Sequence, residues 1–146
     1  MKDSTEPRAN RTAEPLKPTA ILVVDDKKNM VKAIRLSLAD EGNFQIESSY
    51  SGNEAKRKIT SNDNIDIILS DINMPDGSGQ DLYNWLKENR PDLVIRTIFM
   101  TASDQTNGPQ AFIQEMEKKK RLLRKPFSVE EMRDLIKQIL SECAAK

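Results

Sequence analysis

The most restrictive feature of this chain is the run Ala20-Ile21-Leu22-Val23-Val24, apolar at every position and followed at once by Asp25-Asp26. A strand with one wet face alternates, whereas a strand without alternation is covered on both faces, as in a parallel sheet between helical layers. The chain must then supply helices for both sides of a sheet, and the downstream residues do so. Met30, Ile34 and Leu38 recur at helical spacing before Gly42-Asn43 ends that segment. Phe44-Gln45-Ile46-Glu47 alternates, which predicts a half-exposed edge strand. The order continues with a short helix over 53–61, buried strands over 65–69 and 94–100, and between those strands a helix near 79–89 carrying Leu82, Trp85 and Leu86. A helix around 109–117, a brief strand at Leu122-Leu123 and a last helix with Val129, Met132, Leu135, Ile136 and Ile139 on one face complete the pattern. Five strands and five helices in strict alternation predict an α/β fold, a single doubly wound parallel sheet with right-handed crossovers. No internal repeat interrupts it.

A length of 146 residues is enough for one domain with its own core and too short for two full ones. Residues 1–18, with Pro7, Pro15 and Pro18 and almost no large apolar side chains, read as a disordered tail or linker. The folded domain is expected over 19–142, followed by a frayed C-terminus at 143–146. The lone Cys143 therefore reads as an inert thiol. With 23 basic and 23 acidic residues, net charge alone recruits neither nucleic acid nor an anionic membrane surface. No apolar run approaches the roughly 20 residues that span a bilayer, so a soluble, cytoplasmic protein is expected. The absence of histidine excludes a Ser-His-Asp or Cys-His site, imidazole zinc ligands and a phosphohistidine formed by this chain itself.

In doubly wound sheets ligands bind outside the carboxyl ends of the strands. Here the first strand ends in Asp25-Asp26, the third in Asp71, the fourth in Thr101 and the fifth in Lys125-Pro126. A single Asp after a strand is ordinary, because Asp caps helices and starts turns. Three carboxylates, a hydroxyl and an ammonium converging on one sheet edge are not ordinary. Such carboxylates raise one another's pKa unless a positive charge sits among them. A donor set made only of oxygens favours Mg²⁺ over zinc. A carboxylate can then act as nucleophile toward phosphorus, with metal and Lys neutralising the transferring oxygens.

These residues carry a family resemblance. Asp25-Asp26, Ser70-Asp71-Ile72-Asn73-Met74-Pro75-Asp76-Gly77, Thr101-Ala102 and Lys125-Pro126-Phe127, in this order and each at a strand end, resemble the signature of response-regulator receiver domains. The resemblance covers residues 20–140 and implies a flavodoxin-like sheet of strand order 2-1-3-4-5. It implies Asp71 as phosphoacceptor, with Asp26, Asp71 and the backbone carbonyl of Asn73 ligating Mg²⁺ and Asp25 assisting through water. It further implies that Thr101 bonds the phosphoryl group and turns toward it on activation, and that Lys125 pairs with it, aimed by a cis-proline. The implied partners are a sensor histidine kinase or phosphotransfer protein and an output protein. The usual output face is formed by the fourth helix, fifth strand and fifth helix.

Two departures stand out. Receivers usually carry Tyr or Phe three residues before the Lys, and here Leu122 reads as a core leucine with no ring to swing. The segment before it is the charge run Glu117-Lys118-Lys119-Lys120-Arg121, most simply a solvated helix end. If it serves output, Lys118, Lys119 and Lys120 would select an acidic partner. Asn73 and Ser103 stand at the family's positions two residues beyond the phosphoacceptor and the Thr; both are small and polar, so phosphoryl lifetime is expected to be unremarkable. A phosphatase on a similar sheet needs a second Asp where Asn73 stands, which favours a self-modifying switch over an enzyme with an external product. An inert pseudo-receiver scaffold is disfavoured by the full set of site residues, and the terminal receiver of a hybrid histidine kinase stays open. After Phe127 only one helix remains, so direct DNA binding is not expected.

Overall fold

The computed structural model describes residues 17–102 and 109–144. The expected tail, apart from Lys17 and Pro18, and the position of Ser103 lie outside these residues. β1 (Thr19–Val24) is buried from Ala20 onward, as its unbroken apolar run requires. It lies inside a five-stranded sheet of order β2-β1-β3-β4-β5, with β2 (Phe44–Ser49), β3 (Ile67–Asp71), β4 (Thr97–Ala102) and β5 (Leu122–Lys125). Every pairing is parallel. The alternating β2 takes one edge, where its exposed Gln45 and Glu47 cost no burial.

Strand alternation sorts side chains to two layers. Ile21, Val23, Ile67, Leu69, Ile98 and Met100 face α1 (Lys28–Leu38) and α6 (Val129–Ala144). On the opposite face Leu22, Val24 and Ile68 meet α2 (Gly52–Ser61) and α3 (Gly79–Asn89), while Phe99 meets α3 and α5 (Gln110–Lys118). Serine hydroxyls set helix starts. Ser78 and Asp81 form a reciprocal capping box on α3, Ser128 and Glu131 pair in the same way before α6, and Ser51 Oγ accepts from the Glu54 N–H on α2.

Among the described residues the helix count differs from expectation, six rather than five, because the one-turn helix α4 (Pro91–Val94) precedes β4. Pro91 suits a first helical turn, where no N–H partner is needed. Leu93 drops into the core and its carbonyl accepts the Thr97 hydroxyl at 2.7 Å, so the strand begins at Thr97 instead of 94. At the other end α6 runs to Ala144, and Cys143, placed in a frayed end by the sequence reading, packs half-buried against the core. With α4 inserted, the expected output face corresponds to α5, β5 and α6.

Candidate functional site

The carboxyl ends of β1, β3, β4 and β5 bring the expected residues together. Asp25, Asp26 and Asp71 each offer one oxygen, and these oxygens lie within 4.8 Å of one another. Asp25 is fully buried; its Oδ1 accepts the Lys27 N–H at 2.9 Å and its Oδ2 stands 3.5 Å from Lys125 Nζ. Asp71 Oδ1 accepts the Ile72 N–H at 2.9 Å, and its Oδ2 stands 3.6 Å from the same ammonium. Asp26 Oδ1 is buried without a hydrogen-bond partner, and Lys27 Nζ, on a largely exposed side chain, is 3.9 Å away.

Burial pushes the Asp71 carboxyl above the usual carboxylate range; Lys125 opposes that shift and the neighbouring Asp25 adds to it. At such separations each like-charge pair costs about 3 kcal/mol in a protein-like dielectric, so three ionised acids forgo an appreciable part of a typical domain's stability of roughly 5–15 kcal/mol. Lys125 offsets one of three charges, and the largely exposed Lys27, 3.9 Å from Asp26, is screened by solvent and adds little. A divalent cation among the three oxygens would bring the sum to zero, and the orphaned Asp26 oxygen fits that role.

Thr101 is buried on β4, and its Oγ1 has no hydrogen-bond partner. The Lys125–Pro126 peptide is cis, as the resemblance implies. Asn73 sits exposed in the loop over 72–78. That loop is fastened to the start of α2: the Gly52 N–H donates to the Gly77 carbonyl at 2.8 Å, the Asn53 N–H to the Asp76 carbonyl at 3.2 Å, and Asn53 Nδ2 to Asp76 Oδ1 at 2.9 Å. Gly77 takes φ +100°, and a Cβ on Gly52 would stand 2.5 Å from the Gly77 carbonyl oxygen, so both glycines are required. Lys27 and the Asn53 clasp are absent from the sequence reading. Of the clasp's parts, only the Asp76-Gly77 turn belongs to a segment that the sequence singles out.

Leu122 is half-buried against Phe99, Phe112 and Tyr83, the core leucine expected of it. Lys118, Lys119 and Lys120 are all exposed, and they do not act alike. Lys119 pairs with Glu115 at 3.0 Å and donates to the Tyr83 hydroxyl at 3.1 Å. Lys120 has φ 58° and ends α5 in a Schellman turn, its N–H bonded to the Glu117 carbonyl and the Arg121 N–H to that of Met116.

Fold and site together define a flavodoxin-like α/β domain with an acidic, metal-competent pocket at its strand ends. Residues 21–137 match the response regulator receiver domain family, and the chain belongs to that family. It is similar to the response regulator SaeR of Staphylococcus epidermidis, 34% identical over 87 residues that make up 60% of this chain and 36% of that protein. The response regulator ArlR of Staphylococcus saprophyticus is 29% identical over 122 residues, 84% of this chain and 52% of that protein. The chain thus spans about half or less of the length of these relatives. Among solved structures, a response regulator receiver domain protein from Clostridium thermocellum has a TM-score of 0.74 at 25% identity, covering 87% of this chain and 98% of that one. No helix among the described residues is long and apolar enough to cross a membrane.

Proposed function

We propose that this receiver is a cytoplasmic signalling switch that takes a phosphoryl group onto Asp71 from a sensor histidine kinase or phosphotransfer protein. The observation that carries this reading is the convergence of Asp25, Asp26 and Asp71 around one ammonium, with an Asp26 oxygen left unsatisfied. Asp25, Asp26, Asp71 and the Asn73 carbonyl would hold Mg²⁺, which when bound supplies charge neutralisation for the transferring oxygens. An Asp71 carboxylate oxygen attacks phosphorus, the bond from phosphorus to the donor breaks, and the donor's leaving group keeps the electron pair. Lys125, already 3.6 Å from Asp71, offsets charge on the phosphoryl oxygens. Thr101 Oγ1, without a competing partner, donates a hydrogen bond to the phosphoryl group. Water attack on phosphorus later returns the carboxylate and releases phosphate. The exposed Asn73 offers nothing bulky to delay it. On this reading the domain modifies only itself, and its phosphorylation state is read by a partner.

Intact mass after incubation with a small phosphodonor tests the proposal. The parent chain with Mg²⁺ should gain one phosphoryl mass, while Asp71→Asn and a chelated sample should not. An Asp71→Asn protein that is modified as readily as the parent ends the reading.

A further inference from the structure

Residues two apart on a strand share a face, so Thr101 of the site and the fully buried Phe99 point to the same layer from β4. The Phe99 ring meets Tyr83 of α3 and Phe112 of α5 edge-on, with centroids 5.9 and 5.0 Å away, and Tyr83 closes the triangle on Phe112 at 5.3 Å. In a close-packed interior rings so engaged do not move singly. Leu122 packs against the same cluster but has no polar end to register a movement outside. Tyr83 has one: its hydroxyl accepts from Lys119 Nζ at 3.1 Å. The ammonium groups of Lys87 and Lys119 lie 5.1 and 5.7 Å from its ring.

Tyr83 also forms part of a groove of about 270 Å³ between α3 and α5, with Val94, Ile95 and Met116 as its apolar lining and Lys119 and Arg121 on its rim. Ile95 is 44% exposed, one of three large apolar side chains so placed among the described residues. Glu115 and Glu142 partner the rim cations, and Lys87, whose ammonium stands 5.1 Å from the Tyr83 ring, adds a third cation beside them. A patch that is apolar at its centre and cationic around it fits an acidic segment bearing one large apolar residue.

We propose that this groove is an output surface of the domain, taking an acidic peptide segment of a partner protein whose single apolar side chain seats against Val94, Ile95 and Met116. The inference rests on Asp71 as phosphoacceptor. A hydrogen bond drawn from Thr101 moves β4, Phe99 carries the movement to Tyr83, and the Tyr83–Lys119 contact changes at the groove.

The chain has two tyrosines, Tyr50 and Tyr83, so 3-fluorotyrosine labelling gives two ¹⁹F resonances, assigned with Tyr50→Phe. Added Mg²⁺ and beryllofluoride report their own bound fluoride in the same spectrum. The Tyr83 line should move as that signal appears, and neither change should occur in Asp71→Asn. Bound fluoride with a static Tyr83 line overturns this inference and leaves the phosphoacceptor reading intact; absence of bound fluoride removes both.

The second arm uses acidic heptapeptides of alternating Asp and Glu with Leu or Gly at the centre. The Leu peptide should move the Tyr83 line with a Kd of about 1 mM or tighter, roughly tenfold better than the Gly peptide. Ile95→Glu, at an exposed position that threatens no core packing, should abolish the effect. Equal binding of the two peptides, no movement of the line, or full binding by Ile95→Glu refutes the groove as a docking surface.

Discussion

Lys125 Nζ lies 3.6 Å from Asp71 Oδ2 across the width of β4, and the same nitrogen reaches the wholly buried Asp25 at 3.5 Å. One ammonium thus serves two acids from different strands. Lys125→Met keeps most of the stem and removes the charge. Removing one partner of a largely buried pair leaves the other uncompensated, so a loss of about 1–3 kcal/mol is expected in urea melts of the metal-free protein. Phosphorylation by a small donor should slow by about 10²–10³-fold, the scale for losing one preorganised charge stabiliser. Mass spectra taken over time give the rate; an unchanged rate removes Lys125 from the chemistry.

Asp71 has its pKa raised, chiefly by burial and further by Asp25, against the pull of Lys125. For a carboxyl raised in the folded state, the stabilisation is complete below the unfolded pKa and is lost as pH rises through the folded one. At neutral pH without metal the group therefore opposes folding. Asp71→Asn should melt a few degrees higher than the parent in EDTA at pH 7, with the gap closing toward acid pH. Thermal melts across that range decide it, and a parent more stable than Asp71→Asn at pH 7 contradicts the sign.

Magnesium should stabilise the chain by mass action. For a site with a Kd of about 1 mM, a total of 10 mM Mg²⁺ adds roughly 1.4 kcal/mol. Asp26→Asn should remove most of that gain, because the buried Asp26 Oδ1 has no hydrogen-bond partner in the protein to compete with the ion. Calorimetric melts with and without chelator measure the difference, and a Mg²⁺ increment equal in both proteins assigns the site elsewhere.

The strand ends were readable because the signal is local: an unbroken apolar run says buried strand, and the polar residue that stops it marks the sheet edge. Asp25, Asp26 and Thr101 follow from that rule together with the parallel topology, whereas Asp71 and Lys125 stand one residue beyond Ser70 and Arg124 and are singled out by the receiver-like signature. Helix α4 follows from neither. Val94 reads as the start of an apolar strand, and only the packing of Leu93 and the Thr97 hydroxyl on its carbonyl show the turn. The Asn53–Asp76 clasp joins residues 23 apart, and the Tyr83–Phe99–Phe112 triangle joins three elements, so neither leaves a local pattern. Leu122 was legible as core because it needs no partner beyond its own strand's face.

The basic run concealed a helix stop. Lys120 takes φ 58° at the position where a Schellman turn ordinarily has glycine, and a side chain with a Cβ is disfavoured there. Lys120→Gly should therefore stabilise the protein by about 1 kcal/mol, although glycine raises the entropy of the unfolded chain. Gln114→Gly, at an exposed position inside α5, should instead destabilise it by about 1 kcal/mol. Urea midpoints compare the two; effects of equal sign would mean that backbone conformation at residue 120 is not what matters.

The fastening of the 72–78 loop predicts an order of effects at α2. A Cβ on Gly52 would stand 2.5 Å from the Gly77 carbonyl oxygen and 2.7 Å from its carbon, and these are backbone atoms that cannot rotate aside. The loop must move, so Gly52→Ala should cost about 1–3 kcal/mol, the range for forcing atoms into a filled site. Asn53→Ala removes one exposed side-chain bond and keeps both backbone bonds, so it should cost under about 1 kcal/mol. Since the same loop carries Asn73, whose carbonyl is the proposed fourth oxygen donor, Mg²⁺ affinity should fall in the same order. Titration calorimetry of the folded variants measures it. A Gly52→Ala protein that binds Mg²⁺ as tightly as the parent would show that the loop's attachment to α2 is independent of the metal site.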